Sequence, residues 1–139
     1  MKHTTCCPKA RLILISLLLT LVTLFHFNLS ESAESMLKII NRNGRAVGAV
    51  AANGEILNNA GKKIGHVDLK GTVYNRLDKI IGKVNPGGDM FNVFGKKIGK
   101  IDETGDVFSL LGKKVGSVEV NDTLILSGGG ALIFFLHPE

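Results

Sequence analysis

Gly95-Lys96-Lys97-Ile98-Gly99-Lys100-Ile101-Asp102-Glu103-Thr104-Gly105-Asp106-Val107-Phe108 is the stretch whose reading decides the fold. A glycine and two lysines open a short β-branched run. Asp102-Glu103-Thr104-Gly105 then turns the chain into a second apolar pair, Val107-Phe108. The same arrangement recurs outward in both directions at a spacing of 17 residues. Gly48, Gly65, Gly82, Gly99 and Gly116 form one series, each preceded by Val or Ile and followed two residues later by Val50, Val67, Val84, Ile101 or Val118. A second series runs Gly44, Gly61, Asp78, Gly95, Gly112 and Gly129, and a third Gly54, Gly71, Gly88, Gly105 and Asp122. Apolar pairs keep step as well, from Ile39-Ile40 and Ile56-Leu57 through to Leu124-Ile125. A register held this long without insertion is the signature of a repeat architecture.

The units begin near residues 37, 54, 71, 88, 105 and 122. The first lacks its leading glycine, with Leu37 in that place. The last departs further: Ile133 replaces the strand glycine, and Leu132-Ile133-Phe134-Phe135-Leu136 reads as an apolar terminal strand. Atypical end copies are expected where end units cap a stack or close a ring. Within each unit two apolar clusters are separated by glycine, and glycine this frequent destabilises any helix. Short β-branched and aromatic runs bounded by such turns are strand signals, and the pattern predicts roughly a dozen short strands, two per unit. Asn43-Gly44 is a hairpin turn in its own right. Ala60, Phe94 and Leu111 precede the turn glycine elsewhere, and such side chains disfavour positive φ, so a type I turn with glycine in the left-handed position is expected there. The strand glycines at Gly65 and its equivalents mark either a close backbone approach, as where hairpins converge on an axis, or a bulge that bends each strand.

The pattern of residues 95–108 resembles the repeat of bacterial β-flower proteins, in particular the five-fold β-flower family, and the resemblance extends over residues 37–139. It implies hairpins set like petals about a pseudo-rotational axis in a closed or nearly closed ring, which would protect strand edges. It carries over no activity and no site. The fold class expected is therefore all-β: tandem hairpins in a pseudo-symmetric ring at residues 36–139, behind an N-terminal hydrophobic export helix at residues 1–35.

That leader begins with Lys2, Lys9 and Arg11, continues through a run without charge from Leu12 to Ser30, and ends in the small, polar segment Ser30–Ser35. The order is that of a secretory signal peptide, although the run approaches the ~20 residues that span a bilayer. A cleaved leader is favoured over a retained anchor, and membrane contact through this segment follows only if it is retained. Either way the following residues cross the membrane, which makes the expected location periplasmic, secreted or membrane-anchored. The two cysteines, Cys6 and Cys7, lie in this leader, so the rest of the chain has no disulfide framework or cysteine metal site.

The 139-residue chain carries 17 Lys and Arg against 12 Asp and Glu, a net +5. This charge favours mild attraction to anionic surfaces. No basic helix or long cationic run marks a nucleic-acid binder. The repeat specifies a scaffold, and no HExxH, CxxC or GxSxG motif adds chemistry or a cofactor site to it. Gly128-Gly129-Gly130 precedes the apolar terminal strand and lacks the helix of a phosphate loop. His66 falls at a variable position, where other units carry Ala49, Lys83, Lys100 and Ser117, and is expected on a solvated strand face. Asp68, Asp102, Glu119 and Asn85 recur at the unit's end and read as turn initiators in preference to metal ligands.

The Lys-Lys pairs carry the leading functional expectation. Lys62-Lys63, Lys96-Lys97 and Lys113-Lys114 follow the hairpin glycine, with Arg45 and Lys79 in the same part of other units. Sharing one orientation, they would form a basic rim for anionic lipid or polysaccharide. Lysines that merely solubilise exposed turns are the plainer alternative. The expected function is a non-enzymatic scaffold or binding module of the cell envelope. Two others stand beside it: a structural envelope protein whose terminal strand closes the ring or docks a partner protein, and an enzyme built from the unit-specific Tyr74, Arg76, Asp78 and His66.

Overall fold

The computed structural model describes residues 35–137, and the leader, including Cys6 and Cys7, lies outside the described residues. The described residues make one compact unit. Ten strands follow in sequence: β1 (Leu37–Asn41), β2 (Ala46–Val50), β3 (Glu55–Asn58), β4 (Lys63–Val67), β5 (Thr72–Asn75), β6 (Ile80–Val84), β7 (Asp89–Asn92), β8 (Lys97–Ile101), β9 (Asp106–Ser109) and β10 (Lys114–Val118). Each pairs antiparallel with its sequence neighbours, and β1 pairs with β10, so the sheet is a closed barrel of five hairpins. Closure runs through Ile39 opposite Val118 and Asn41 opposite Gly116. The seam is finished by Glu119, whose backbone N–H donates to the Lys38 carbonyl (2.9 Å) and whose Oε2 accepts from the Lys38 N–H (3.0 Å).

Two kinds of turn define two ends. At the hairpin-tip end Gly44, Gly61, Gly95 and Gly112 hold φ between 74° and 77°, and Asp78 takes the same role at 59°. The register shifts beside each tip, as between Ile56 and Leu57, which is the glycine-bulge hairpin expected for most units. Asn43-Gly44 forms the same turn, since Asn43 keeps a negative φ. Asn41, Asn58, Asn75 and Asn92 fasten four tips: Asn58 Oδ1, for example, accepts from the N–H groups of Ala60 and Lys62, both at 3.0 Å. At the opposite, link end, Asp68 Oδ1 accepts from Lys70 and Thr72, and Asp102 Oδ1 from Thr104 and Asp106, which is the turn-initiating role expected of them.

Alternation sends Ile39, Ile56, Val73, Met90 and Val107 inward from the odd strands and Val50, Val67, Val84, Ile101 and Val118 inward from the even ones, all buried. A barrel of eight strands is just wide enough for its own side chains to fill. Ten strands leave an axial space, and the sixth sequence unit occupies it. Contrary to expectation, that unit is no hairpin and Leu132–Leu136 is no strand: Leu124–Ala131 is an α-helix, α1, continuing as a π-helical turn over Leu132–Leu136. The barrel thus has ten strands, and Gly128-Gly129-Gly130 lies buried in the helix.

Packing explains the departure. A residue run that is apolar on every side suits a segment buried all round, and burial overrides the cost of ~1 kcal/mol for each helical glycine. Wall and plug exchange bulk along the axis. Nearest the links the wall offers valines and the plug offers glycines: a Cβ added at Gly128, Gly129 or Gly130 would collide with Val84, Val67 or Val50 respectively. Two residues nearer the tips the wall offers its strand glycines and the plug its large side chains. Leu132 lies over Gly82, Ile133 over Gly65, Phe134 over Gly48, Phe135 over Gly116 and Leu136 over Gly99. Each successive plug residue advances one hairpin around the ring. That step needs five residues per turn, and a helix bonded i to i+5 is wound closer to this than an α-helix at ~3.6. The strand glycines mark close approach, both to the plug and to the neighbouring strand, since a Cβ at Gly65 would also meet the Tyr74 carbonyl. The bulge lies beside them as well, as where the register shifts between Lys114 and Gly116.

Candidate functional site

Because all five hairpins point the same way, the barrel has chemically distinct ends. The tip turns, at residues 42–45, 59–62, 76–79, 93–96 and 110–113, contain Arg42, Arg45, Lys62, Arg76, Lys79, Lys96 and Lys113, with Asp78 the single acid. The link turns, at residues 51–54, 68–71, 85–88, 102–105 and 119–122, contain Asp68, Asp102, Glu103, Glu119 and Asp122, with Lys70 the single cation. The small net charge of the domain hides this separation. Charge collected on one face of a low-dielectric body produces a directed surface potential far larger than the net value conveys.

The expected six-lysine rim divides in two. Lys62, Lys96 and Lys113 stand exposed in the tip turns, at the same unit position as Arg45 and Lys79. None of these five makes an ion pair among the described residues. Their backbones are fixed, since the Arg45, Lys62, Lys79 and Lys96 N–H groups donate to the asparagine at the start of each turn. Lys63, Lys97 and Lys114 start the following strands and lie against the outer wall. Lys63 Nζ sits 3.2 Å from Glu55, Lys97 Nζ 2.7 Å from Asp89 and Lys114 Nζ 2.8 Å from Asp106. The Lys97 ammonium, with help from Asn85, holds the Asp89 carboxyl below its ordinary value. At the link end Thr104 does the same for Asp102, its hydroxyl donating across 2.6 Å with backbone N–H groups assisting. One member of each lysine pair is thus open to a ligand and the other is occupied.

The unit-specific residues partly assemble. His66 stacks on Tyr74, with ring centroids 4.5 Å apart and planes 11° apart, and its Nδ1 lies 3.7 Å from Asp78 Oδ1. That nitrogen is buried and has no hydrogen-bond partner, so His66 faces outward with its side chain 30% exposed and one face covered by Tyr74. Arg76 stays exposed in a tip turn, apart from this cluster. His66 and Asp68 also border an open cleft of about 550 Å³ beside the start of α1, lined otherwise by residues such as Leu69, Ile125 and Leu126. Among the described residues no group of three or more His, Cys, Asp or Glu side chains converges on a metal position.

Two features of the tip end escape a reading by residue type. The first is the asparagine series, visible only as one more element with the common 17-residue period. The second is the apolar character of three tips: Leu77, Val93, Phe94, Leu110 and Leu111 are all exposed, Phe94 at 89% and Leu111 at 93%. No protein-family model matches the chain, and neither the curated proteins nor the solved structures contain a match to it.

Proposed function

We propose that residues 36–139 form a non-enzymatic binding module of the cell envelope, which engages a polyanionic surface through its hairpin-tip end, and that the chain is a member of the β-flower family. The family reading rests on the hairpin ring and on the repeat of residues 95–108. The observation that carries the function is the separation of charge, with seven cations and one acid at the tips against five acids and one cation at the links. Such a body is oriented by an anionic plane before contact, tips first, and its cations reach that plane without leaving existing partners. The shared chemistry is phosphate or carboxylate at high density, whether on lipid headgroups or on an acidic glycan. The export reading of residues 1–35 puts surfaces of this kind within reach.

All ten strands, their pairings and the plug lie between Leu37 and Leu136, so residues 36–139 contain every described element of the barrel and serve for the test. Binding is measured to anionic and to neutral vesicles and to an acidic polysaccharide, at low and at moderate salt. A phosphate-facing lysine contributes about 1 kcal/mol at a membrane surface. Lys62→Ser/Lys96→Ser/Lys113→Ser should therefore weaken anionic binding by on the order of 100-fold, while Lys63→Ser/Lys97→Ser/Lys114→Ser should leave most of it. Equal losses in the two triple variants, or no binding to any anionic surface, would overturn the reading.

A further inference from the structure

The cations of the tip end do not stand alone. Three adjacent hairpins, β5–β6, β7–β8 and β9–β10, carry Leu77, Val93-Phe94 and Leu110-Leu111 at the outermost turn positions. The other two tips carry Arg42-Asn43 and Asn59-Ala60 in the same places. Large apolar side chains exposed at 69% to 93%, as for Leu77, Phe94 and Leu111, cost solubility, and turns normally select polar residues. Nor do these side chains make the turns: the left-handed glycine or Asp78 does so, helped at two of the three tips by the asparagine acceptors Asn75 and Asn92 and at the third by backbone bonds between Ser109 and Gly112 and Lys113. Two residues after the last apolar side chain of each tip comes a cation, Lys79, Lys96 or Lys113, with Asp78 or a glycine between.

We infer that the β5–β10 side of the tip end inserts into the interfacial region of an anionic bilayer, with Phe94, Leu111 and their neighbours entering the acyl boundary while Lys79, Lys96 and Lys113 meet lipid phosphates. The inference rests on the proposed function and chooses lipid over glycan as the partner. Charge complementarity and shape select the occupant. Protruding apolar turns bordered by lysines match a surface that is anionic outside and apolar a few ångströms deeper, as with amphipathic elements that lie in the interface. An acidic glycan would use the lysines and leave the apolar tips in water. Spanning is a different mode and is not what these strands suit. At four or five residues each, they are about half the ~9–11 residues of a membrane-crossing strand. Two polar tips give the ring a tilted seat, deepest at Phe94 in the middle hairpin of the three.

The protein contains no tryptophan, so a single introduced one reports depth without background. Phe94→Trp in residues 36–139 should shift its emission to the blue, and be quenched by lipids brominated along the acyl chain, on vesicles containing phosphatidylglycerol. Leu69→Trp, equally exposed at 92% but at the link end, should remain unquenched on the same vesicles. Phe94→Ser/Leu111→Ser should lose on the order of tenfold or more in vesicle affinity and retain its binding to acidic polysaccharide. Salt-sensitive vesicle binding without quenching at position 94 would overturn insertion and leave the cationic module standing. No anionic binding at all would defeat the proposed function itself. A concentration-dependent dimer, in sedimentation without lipid, that Phe94→Ser/Leu111→Ser abolishes would overturn insertion by assigning the apolar tips to a second copy of the chain.

Discussion

The hairpin wall and the axial plug come from one repeat and solve opposite problems. The wall is built from five near-identical units, each of which must curve, hydrogen-bond to two neighbours and show one polar face. Its sequence therefore alternates, with turn residues at fixed places. The plug is the sixth unit, has no strand to pair with, and is enclosed by the wall over Ser127–Leu132. It has kept apolar mass and lost alternation. Their contact is complementary in bulk, valine against Gly128–Gly130 near the links and the strand glycines against Leu132–Leu136 further in. The difference teaches that a symmetric ring of this size is completed by a segment that abandons the repeat, and that the repeat's glycines belong to this contact as much as to the strands.

Removing the plug breaks the comparison most directly. A chain ending at Gly130 loses Ala131 and the five side chains that cover the strand glycines. Burying an apolar side chain of this size contributes ~1.5–3 kcal/mol. Even with Ile133 to Leu136 only half-buried, the sum rivals the ~5–15 kcal/mol that holds a domain together. The expected result is loss of the cooperative thermal transition in circular dichroism. A truncated wall that still melts cooperatively as a monomer would show that the barrel stands without its filling.

A subtler change tests the contact one residue at a time. In Gly65→Ala the new Cβ would lie 2.5 Å from Ile133 Cδ1 and against the Tyr74 carbonyl. Overpacking of this kind costs ~1–3 kcal/mol, read as a lower urea midpoint. Ile133→Ala should recover the part due to the side chain and leave the part due to the strand. The double variant is then more stable than the sum of single losses predicts, by about 0.5 kcal/mol or more. Additive losses would mean that Ile133 does not lodge on Gly65.

The wall was legible in the sequence because every one of its rules is repeated. Period, turn type and link acceptors follow from glycines, apolar pairs and link acids seen several times over, while ring closure was what the resemblance to β-flower repeats implied. The plug was not, because Leu132–Leu136 is uniformly apolar, and such a run fits a buried strand or a buried helix equally well. Its helical form is imposed by the barrel, whose five glycines ask for one large side chain per hairpin. The six lysines expected at a basic rim fall in two places, which residue type alone does not separate. A bulge beside each tip puts Lys62, Lys96 and Lys113 in the turn and turns Lys63, Lys97 and Lys114 onto wall carboxylates. His66 was read from variability alone, which gave its outward side but not the stacking on Tyr74.

Acid separates the two regions by the smallest effect. The plug carries no ionisable side chain between Leu124 and Leu136, so titration acts through the wall and its turns. Asp89, held by Lys97, and Asp102, held by Thr104, both lie below the ordinary 3.8 in the folded protein. A depressed folded value means that the ionised form favours folding. The contribution is complete above the unfolded value and fades as pH falls from about 3.8 through the lower folded one. Both groups are partly exposed, and screening keeps the effect below the ~1 kcal/mol typical of exposed pairs. Asp102→Asn offers a clean test, because Asn85 occupies the equivalent link position and its Oδ1 accepts the Asp89 N–H at 2.8 Å. The variant should keep the turn and lose the titration. Its urea midpoint should fall slightly below the parent's at pH 6, and the gap should narrow as pH falls below about 3.8. A parent whose midpoint is flat from pH 6 to pH 3 would mean that the wall's carboxylates gain nothing from their partners, leaving the filled axis as the source of its stability.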